Sequence, residues 1–233
     1  MLINNVNINS FGAKQLTVDI QAGQLNNTNT WSRKFLTPVF NTVDTTFSTL
    51  EVELIIKGTN REDCLIKANN IIALCIKNKA NTIVLDKYNR NFIGSLIEHK
   101  ETKTKGRFTF KQTLKFQGYV ESKETYTKEI TSSGTITNNS TTKTACKLII
   151  MSKTVDIASI KIKINDREIT VNNLTKTVPI ILNGLNGEFT EQGNNKFNDI
   201  DLWELPYLDI GGNTITCNNS DVVITVEYKE RYI

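Results

Sequence analysis

The side chains able to do chemistry in this sequence are few and scattered. One histidine, His99, occurs in 233 residues. A Ser-His-Asp or Cys-His nucleophile system would have to use it, yet no G-x-S-x-G and no cysteine signature accompanies it. His99 therefore reads as a surface residue in the charged stretch "SLIEHKETKTKG". One imidazole also cannot supply two ligands of a histidine-based metal site. Cys146 and Cys217 each stand alone, without a CxxC. Cys64 and Cys75 fall on one face of an expected helix, roughly 16 Å apart at 1.5 Å per residue, too far to bridge. Cys64 and Cys75 read as core residues, and neither metal nor cofactor is expected. "KGTNRED" lacks the spacing and the Lys-Ser/Thr end of a phosphate loop, and no G-x-G-x-x-G exists.

Carboxylates and aromatics crowd one segment, "DLWELPYLDIGGNTIT" at 201–216. Glycoside hydrolysis needs two carboxyls about 5–10 Å apart, which would make Asp201 and Glu204 the pair, with Asp199 and Asp209 nearby. Calcium is not favoured, because the alternating D-x-D-x-D-G of a loop site is absent. In an extended strand Trp203, Leu205 and Tyr207 share one side. That side is either a sugar-stacking platform, with Trp203 and Tyr207 as contacts, or part of a core. In a chain with two tryptophans, burial is the expected outcome. Pro206 would then end the strand, and Gly211–Gly212–Asn213 would turn the chain.

The bulk composition restricts the classes. Hydrophobic residues make up 39% and charged residues 22%, as in an ordinary globular chain long enough for one large or two small domains. The net charge of +4 is spread without runs of Lys or Arg, which disfavours nucleic-acid or anionic-membrane binding. No run approaches the ~18–20 apolar residues of a membrane span. "MLINNVNINSFG" has no basic stretch followed by an apolar one, so synthesis in the cytoplasm with reduced thiols is expected.

The elements that must carry these residues alternate at period two. Leu16, Val18 and Ile20 share one strand face, as do Leu50, Val52, Leu54 and Ile56. "NTIVLDKYNRNFIGSLIEH" reads as two strands joined at Tyr88–Asn91, and "GRFTFKQTLKFQGYV" as a strand pair or one long strand with Phe108 and Phe110 on one side. A single segment is helical, about 60–78. Thr59 and Glu62 form a T-x-x-E capping box, and Cys64, Leu65, Ala68, Ile71, Ile72 and Cys75 form the apolar stripe.

Residues 121–144 are rich in Ser, Thr and charge, and read as a linker or an exposed hairpin. Alternation then resumes through Ile160, Ile162 and Ile164, and closes with Val222, Ile224, Val226 and Tyr228. The expected architecture is mainly β: two β-sandwich-like domains at 1–125 and 145–233, joined by 126–144, the first carrying the helix.

In element order, "NSFGAKQL", "EVELIIKG", "TNREDCLIKANNIIALC" and "LWELPYLDIGGNTIT…VVITVEYKERYI" resemble the distal tail proteins (Dit) of long-tailed phages. The matching carboxy-terminal positions are Trp203, Pro206, Gly212, Asn213, Tyr228 and Tyr232. The resemblance implies a virion protein of the tail tip, without catalytic residues or cofactors. It implies a homo-hexameric ring built by the amino-terminal domain, with a galectin-like carboxy-terminal domain projecting outward. One ring face would meet the tail tube protein and the other a tail-associated hub or lysin, while DNA passes through the lumen without specific binding. The other reading is a lectin-like module contacting host cell-wall sugars. Extensions at 24–34 or 121–144 could reach a neighbour in a ring.

Overall fold

The computed structural model describes residues 1–30, 39–104, 106 and 108–233. It is mostly antiparallel β-structure with one α-helix, and divides into two compact units, Met1–Glu121 with Ile233, and Ser122–Tyr232.

In the first unit the strands run across one sheet in the order Val6–Asn7, Leu2–Ile3, Asn81–Val84, Arg90–Lys103, Thr109–Ser122, Ser48–Lys57, Ala13–Gln21. Ser48–Lys57 carries the core stripe: Leu50, Val52, Leu54 and Ile56 are fully buried, as period two requires of a strand with one covered face. "GRFTFKQTLKFQGYV" contains one long strand, Thr109–Ser122, in which Phe110 is buried, whereas Phe108 lies outside it and is exposed. Leu16 also leaves the expected stripe. The register shifts between Gln15 and Thr17, so Leu16 bulges out, exposed, while Val18 and Ile20 still pack on the core. One extra residue in a strand reverses which side chains face inward. Strands Leu25–Thr30 and Val39–Thr45 form a separate hairpin; the remainder of the 24–34 extension lies outside the described residues.

The helix is Arg61–Ile76, with Cys64, Ala68, Ile71 and Cys75 buried. Its cap lies one residue later than the sequence reading. Asn60 is the N-cap, its side-chain oxygen accepting from the Asp63 N–H at 2.8 Å. Asp63 in turn accepts from the Thr59 N–H at 2.8 Å, and from Lys67 one turn on at 2.8 Å. Asn60 is extended at φ −150°, ψ 179°, the conformation a cap needs. At the other end buried Asn81 donates to the Cys75 carbonyl at 2.9 Å, which satisfies an end carbonyl the helix itself leaves open.

The second unit is a two-sheet sandwich. One sheet runs Tyr126–Thr131, Val222–Tyr228, Thr144–Ser152, Ile180–Asn183, Glu188–Glu191, Asn194–Asn195, and Tyr207–Leu208 also pairs with Thr144–Ser152. The other runs Ser133–Asn138, Gly211–Cys217, Ile157–Ile164, Arg167–Leu174, Ile200–Leu202. Leu148, Ile150, Ile224 and Val226 from the first meet Ile160, Ile162, Val171 and Ile215 from the second in one core.

The expected linker is therefore mostly sandwich. Tyr126–Thr131 and Ser133–Asn138 belong to different sheets, and the chain crosses between them at Ser132, held in the left-handed region at φ 65°. Both are edge strands, and Ile130 and Ile136 are their only large buried side chains. That sparse apolar content explains why the segment reads as polar.

All four cysteines are free and buried. Burial pushes the Cys75 and Cys146 thiols up to about 12 from an ordinary 9.0. A folded value above the unfolded one means the stabilisation is complete below about pH 9 and is lost as pH rises toward 12. Denaturant midpoints should fall over that window, with a contribution of up to about 1.4 kcal/mol per pH unit from each such thiol. In the Cys146→Ala variant the fall should be shallower than in the parent; an identical slope would refute the assignment.

Candidate functional site

The site lies in the second unit, where two turns meet a crossing segment. Ile157–Ile164 and Arg167–Leu174 pair with Ile164 opposite Arg167, leaving Asn165 and Asp166 as a two-residue turn. Asn165 takes φ 54°, which asparagine tolerates in tight hairpins. Its amide N–H donates to the Thr214 carbonyl at 2.8 Å, and its side-chain oxygen accepts from the Thr214 N–H at 2.9 Å.

The opening segment behaves differently from one alternating strand. Ile200–Leu202 pairs with Arg167–Leu174 in one sheet, and Tyr207–Leu208 pairs with Thr144–Ser152 in the other. Residues 203–206 are the crossing between them. A chain that changes sheets cannot keep one face inward, so Trp203 is 96% exposed and Leu205 is 42% exposed, while Pro206 is buried. The expected burial of Trp203 is overturned.

Tyr207 is half-buried, and its ring is already occupied. The Arg167 guanidinium lies 3.5 Å from the ring centroid and the Lys143 ammonium 4.8 Å, distances at which the negative π-face attracts cations. Lys143 also donates to the Tyr207 hydroxyl at 3.3 Å. Tyr207 thus serves as a clasp between two loops.

Beneath it is a polar knot. Arg167 donates to the Asp209 carboxylate at 2.8 Å, and the Asn165 side chain donates to the same oxygen at 3.0 Å. Buried Asn213 accepts from the Asp209 N–H at 2.8 Å and from the Asn165 amide at 3.1 Å. Its own amide donates to the carbonyls of Asp209 at 2.9 Å and Gly211 at 3.0 Å. The expected Gly211–Gly212–Asn213 turn is shorter than proposed. Gly211 takes φ 85°, but it opens the strand Gly211–Cys217, in which Gly212 faces Thr137 and Asn213 faces Ile136.

Between the Asn165–Asp166 turn and the 203–207 crossing lies a groove of about 380 Å³, lined by Asp166, Arg167, Glu168, Trp203, Glu204 and Tyr207 among others. Asp201 and Glu204, the nominal glycosidase pair, are both exposed, and Glu204 alone of the two lines the groove. His99 is exposed on the strand Arg90–Lys103, in the other unit. Tyr228 is buried, stacks on Tyr126 at 5.4 Å and donates to the Thr137 carbonyl at 3.0 Å. Burial, then Glu230 and Tyr126, raises its pKa. The Tyr232 hydroxyl donates to Glu230 at 2.6 Å. Among the described residues no cluster of three or more His, Cys, Asp or Glu is placed to hold a metal ion.

Sequence reasoning passed over Asn165, Asp166, Arg167 and Lys143. The Asn-Asp dipeptide between the alternating runs "IKI" and "EIT" was the available signal for the turn. Nothing local pointed Arg167 at Tyr207.

The arrangement defines a class: mainly-β chains with a helix-bearing sheet unit followed by a two-sheet sandwich. Solved phage Dit and baseplate structures share it over 96% to 100% of this chain. The structure of the SPP1 Dit protein (gp 19.1), described as a paradigm of the hub adsorption apparatus in phages infecting Gram-positive bacteria, superposes with TM-score 0.75. The match is 12% identical and covers 100% of this chain and 98% of that one. The phage P2 baseplate in its activated conformation matches with calcium at TM-score 0.55 and 11% identity, and with strontium at 0.53 and 13%. Each covers 96% of this chain and 92% of the other. No protein-family model matches the sequence, and no curated protein matches it significantly. This chain has the Dit-like fold.

Proposed function

We propose that the chain is a structural distal tail protein of a long-tailed phage or prophage, a non-enzymatic component of the virion's tail tip. The observation that carries this reading is the fold agreement over 100% of this chain and 98% of the SPP1 Dit chain. On this reading six copies form a ring joining the tail tube protein to the tail-tip hub, with the galectin-like sandwich of each copy turned outward and DNA passing through the lumen. A closed ring requires head-to-tail contacts between two different surfaces of the same chain. The hairpin Leu25–Thr30/Val39–Thr45 is an extension suited to reaching a neighbour. Pro206, Gly212, Asn213, Tyr228 and Tyr232 act in this reading as structural residues of the outward unit.

Native mass spectrometry and negative-stain microscopy test it directly. A species of six times the 26.3 kDa chain, seen as a six-fold ring with an open centre, is expected. Because a partner can drive assembly by mass action, the same measurement is made after co-expression with the tail tube and hub proteins. A strict monomer in both preparations would overturn the reading.

A further inference from the structure

We propose that the groove between the Asn165–Asp166 turn and the 203–207 crossing binds a neutral or amine-bearing saccharide, with Trp203 as its stacking plate. Three observations carry this. First, the Trp203 indole is 96% exposed at the edge of a groove of about 380 Å³, a volume suited to a small ligand. Both ring faces are open to a flat apolar partner, and the C–H face of a pyranose is one.

Second, the polar lining is dominated by acceptors. Asp166 and Glu204 present carboxylates with no ion-pair partner among the described residues, whereas the two oxygens of Glu168 are already held by Lys161 at 2.6 Å and Lys163 at 3.5 Å. Among the described residues that line the groove the one cation is Arg167: its Nη2 donates to Asp209 and its guanidinium stacks on the Tyr207 ring. Its Nη1 is buried without a hydrogen-bond partner and offers a single donor group, from which a ligand hydroxyl oxygen can accept. A lining rich in acceptors selects a ligand rich in donors, which means hydroxyls or an ammonium. Phosphate-bearing polymers would meet uncompensated negative charge.

Third, the groove offers a peptide little. An extended peptide would need both donors and acceptors from a sheet edge, and the adjacent edge strand, Ile200–Leu202, has three residues. Of the two aromatics first considered as sugar contacts, Tyr207 is excluded as a plate by its cations, which leaves Trp203.

This proposal does not depend on ring formation. The test follows the Trp203 indole N–H in proton–nitrogen NMR spectra of the full chain, assigned with Trp203→Phe, together with the backbone amides of the groove residues Asp166, Arg167 and Glu204, which remain as the readout in Trp203→Ala. The probes are N-acetylglucosamine tetramer, cellotetraose, glucosamine oligomers and polyglycerol phosphate. Saturable shifts with a neutral or amine-bearing probe are expected, and none with polyglycerol phosphate. Trp203→Ala should weaken binding up to about tenfold, the worth of one aromatic stack, and Glu204→Gln should weaken the amine-bearing probe most. Since the indole is exposed, Trp203→Ala should leave the unfolding midpoint unchanged, which separates lost binding from lost folding. No response to any saccharide, a response of the groove amides unaltered in Trp203→Ala, or binding of polyglycerol phosphate instead would each sink the proposal.

Discussion

Asn213→Ala is expected to destabilise the second unit by about 3–4 kcal/mol, a shift of roughly 15 °C in its unfolding midpoint. Asn213 is fully buried, and all four hydrogen-bonding positions of its amide are used within the knot. Truncation would leave the Asp209 N–H and the carbonyls of Asp209 and Gly211 without this partner. It would also release the Asn165 amide, which holds the hairpin turn on one side of the groove. Leaving buried polar groups unmade costs about 1–3 kcal/mol each, less where water enters. Asn213→Asp should be nearly as harmful, because it removes both donated hydrogen bonds and adds a charge beside Asp209. Calorimetry or denaturant unfolding of the full chain reads this directly. A loss below about 1 kcal/mol would mean the knot is ornamental to folding.

Gly184→Val carries the second large effect, through close backbone approach. A Cβ at Gly184 would sit 2.0 Å from the Pro206 carbonyl oxygen and 2.7 Å from that of Cys146. These backbones are tied together: Gly184 donates to the Cys146 carbonyl at 3.0 Å, and Cys146 donates to the Pro206 carbonyl at 3.1 Å. A side chain would push the crossing segment outward and pull Tyr207 from beneath Arg167. Overpacking of this kind costs about 1–3 kcal/mol or more, and the lost hydrogen bond and stacking add to it. The expected result is a midpoint at least about 10 °C lower, with faster amide exchange at Cys146. Retention of Cys146 protection in Gly184→Val would show that the crossing does not rest on this contact.

The two variants probe different halves of the same site. Asn213 supports the turn bearing Asp166 and Arg167, and Gly184 supports the crossing bearing Trp203. Gly184→Val should weaken saccharide binding even where the unit still folds. Neither variant should prevent ring formation if the first unit alone builds the ring.

How much of this was legible in the sequence depends on the range of the interaction. The strand containing Leu50 to Ile56, the run Ile160 to Ile164 and the closing strand Val222 to Tyr228 stand where periodicity placed them, and of the expected helix stripe Cys64, Ala68, Ile71 and Cys75 are buried while Leu65 and Ile72 are half-buried. Period is a property of the local backbone, so a short window of residues suffices to read it. The helix cap moved by one residue, to Asn60, whose side chain accepts from the Asp63 N–H while Asp63 accepts from the Thr59 N–H.

The remainder depended on which distant strand each residue meets. Leu16 turned outward because of a bulge against Leu54 and Glu53. Ser132 divides one apparent linker between two sheets. Trp203 is exposed and Tyr207 clasped because the chain between them changes sheets. The sequence alone determined a mainly-β chain with one capped helix and two cores. Only the tertiary structure decided that "LWELPY" is a crossing that displays its tryptophan, since burial there follows from long-range strand pairing and not from the residues' own spacing.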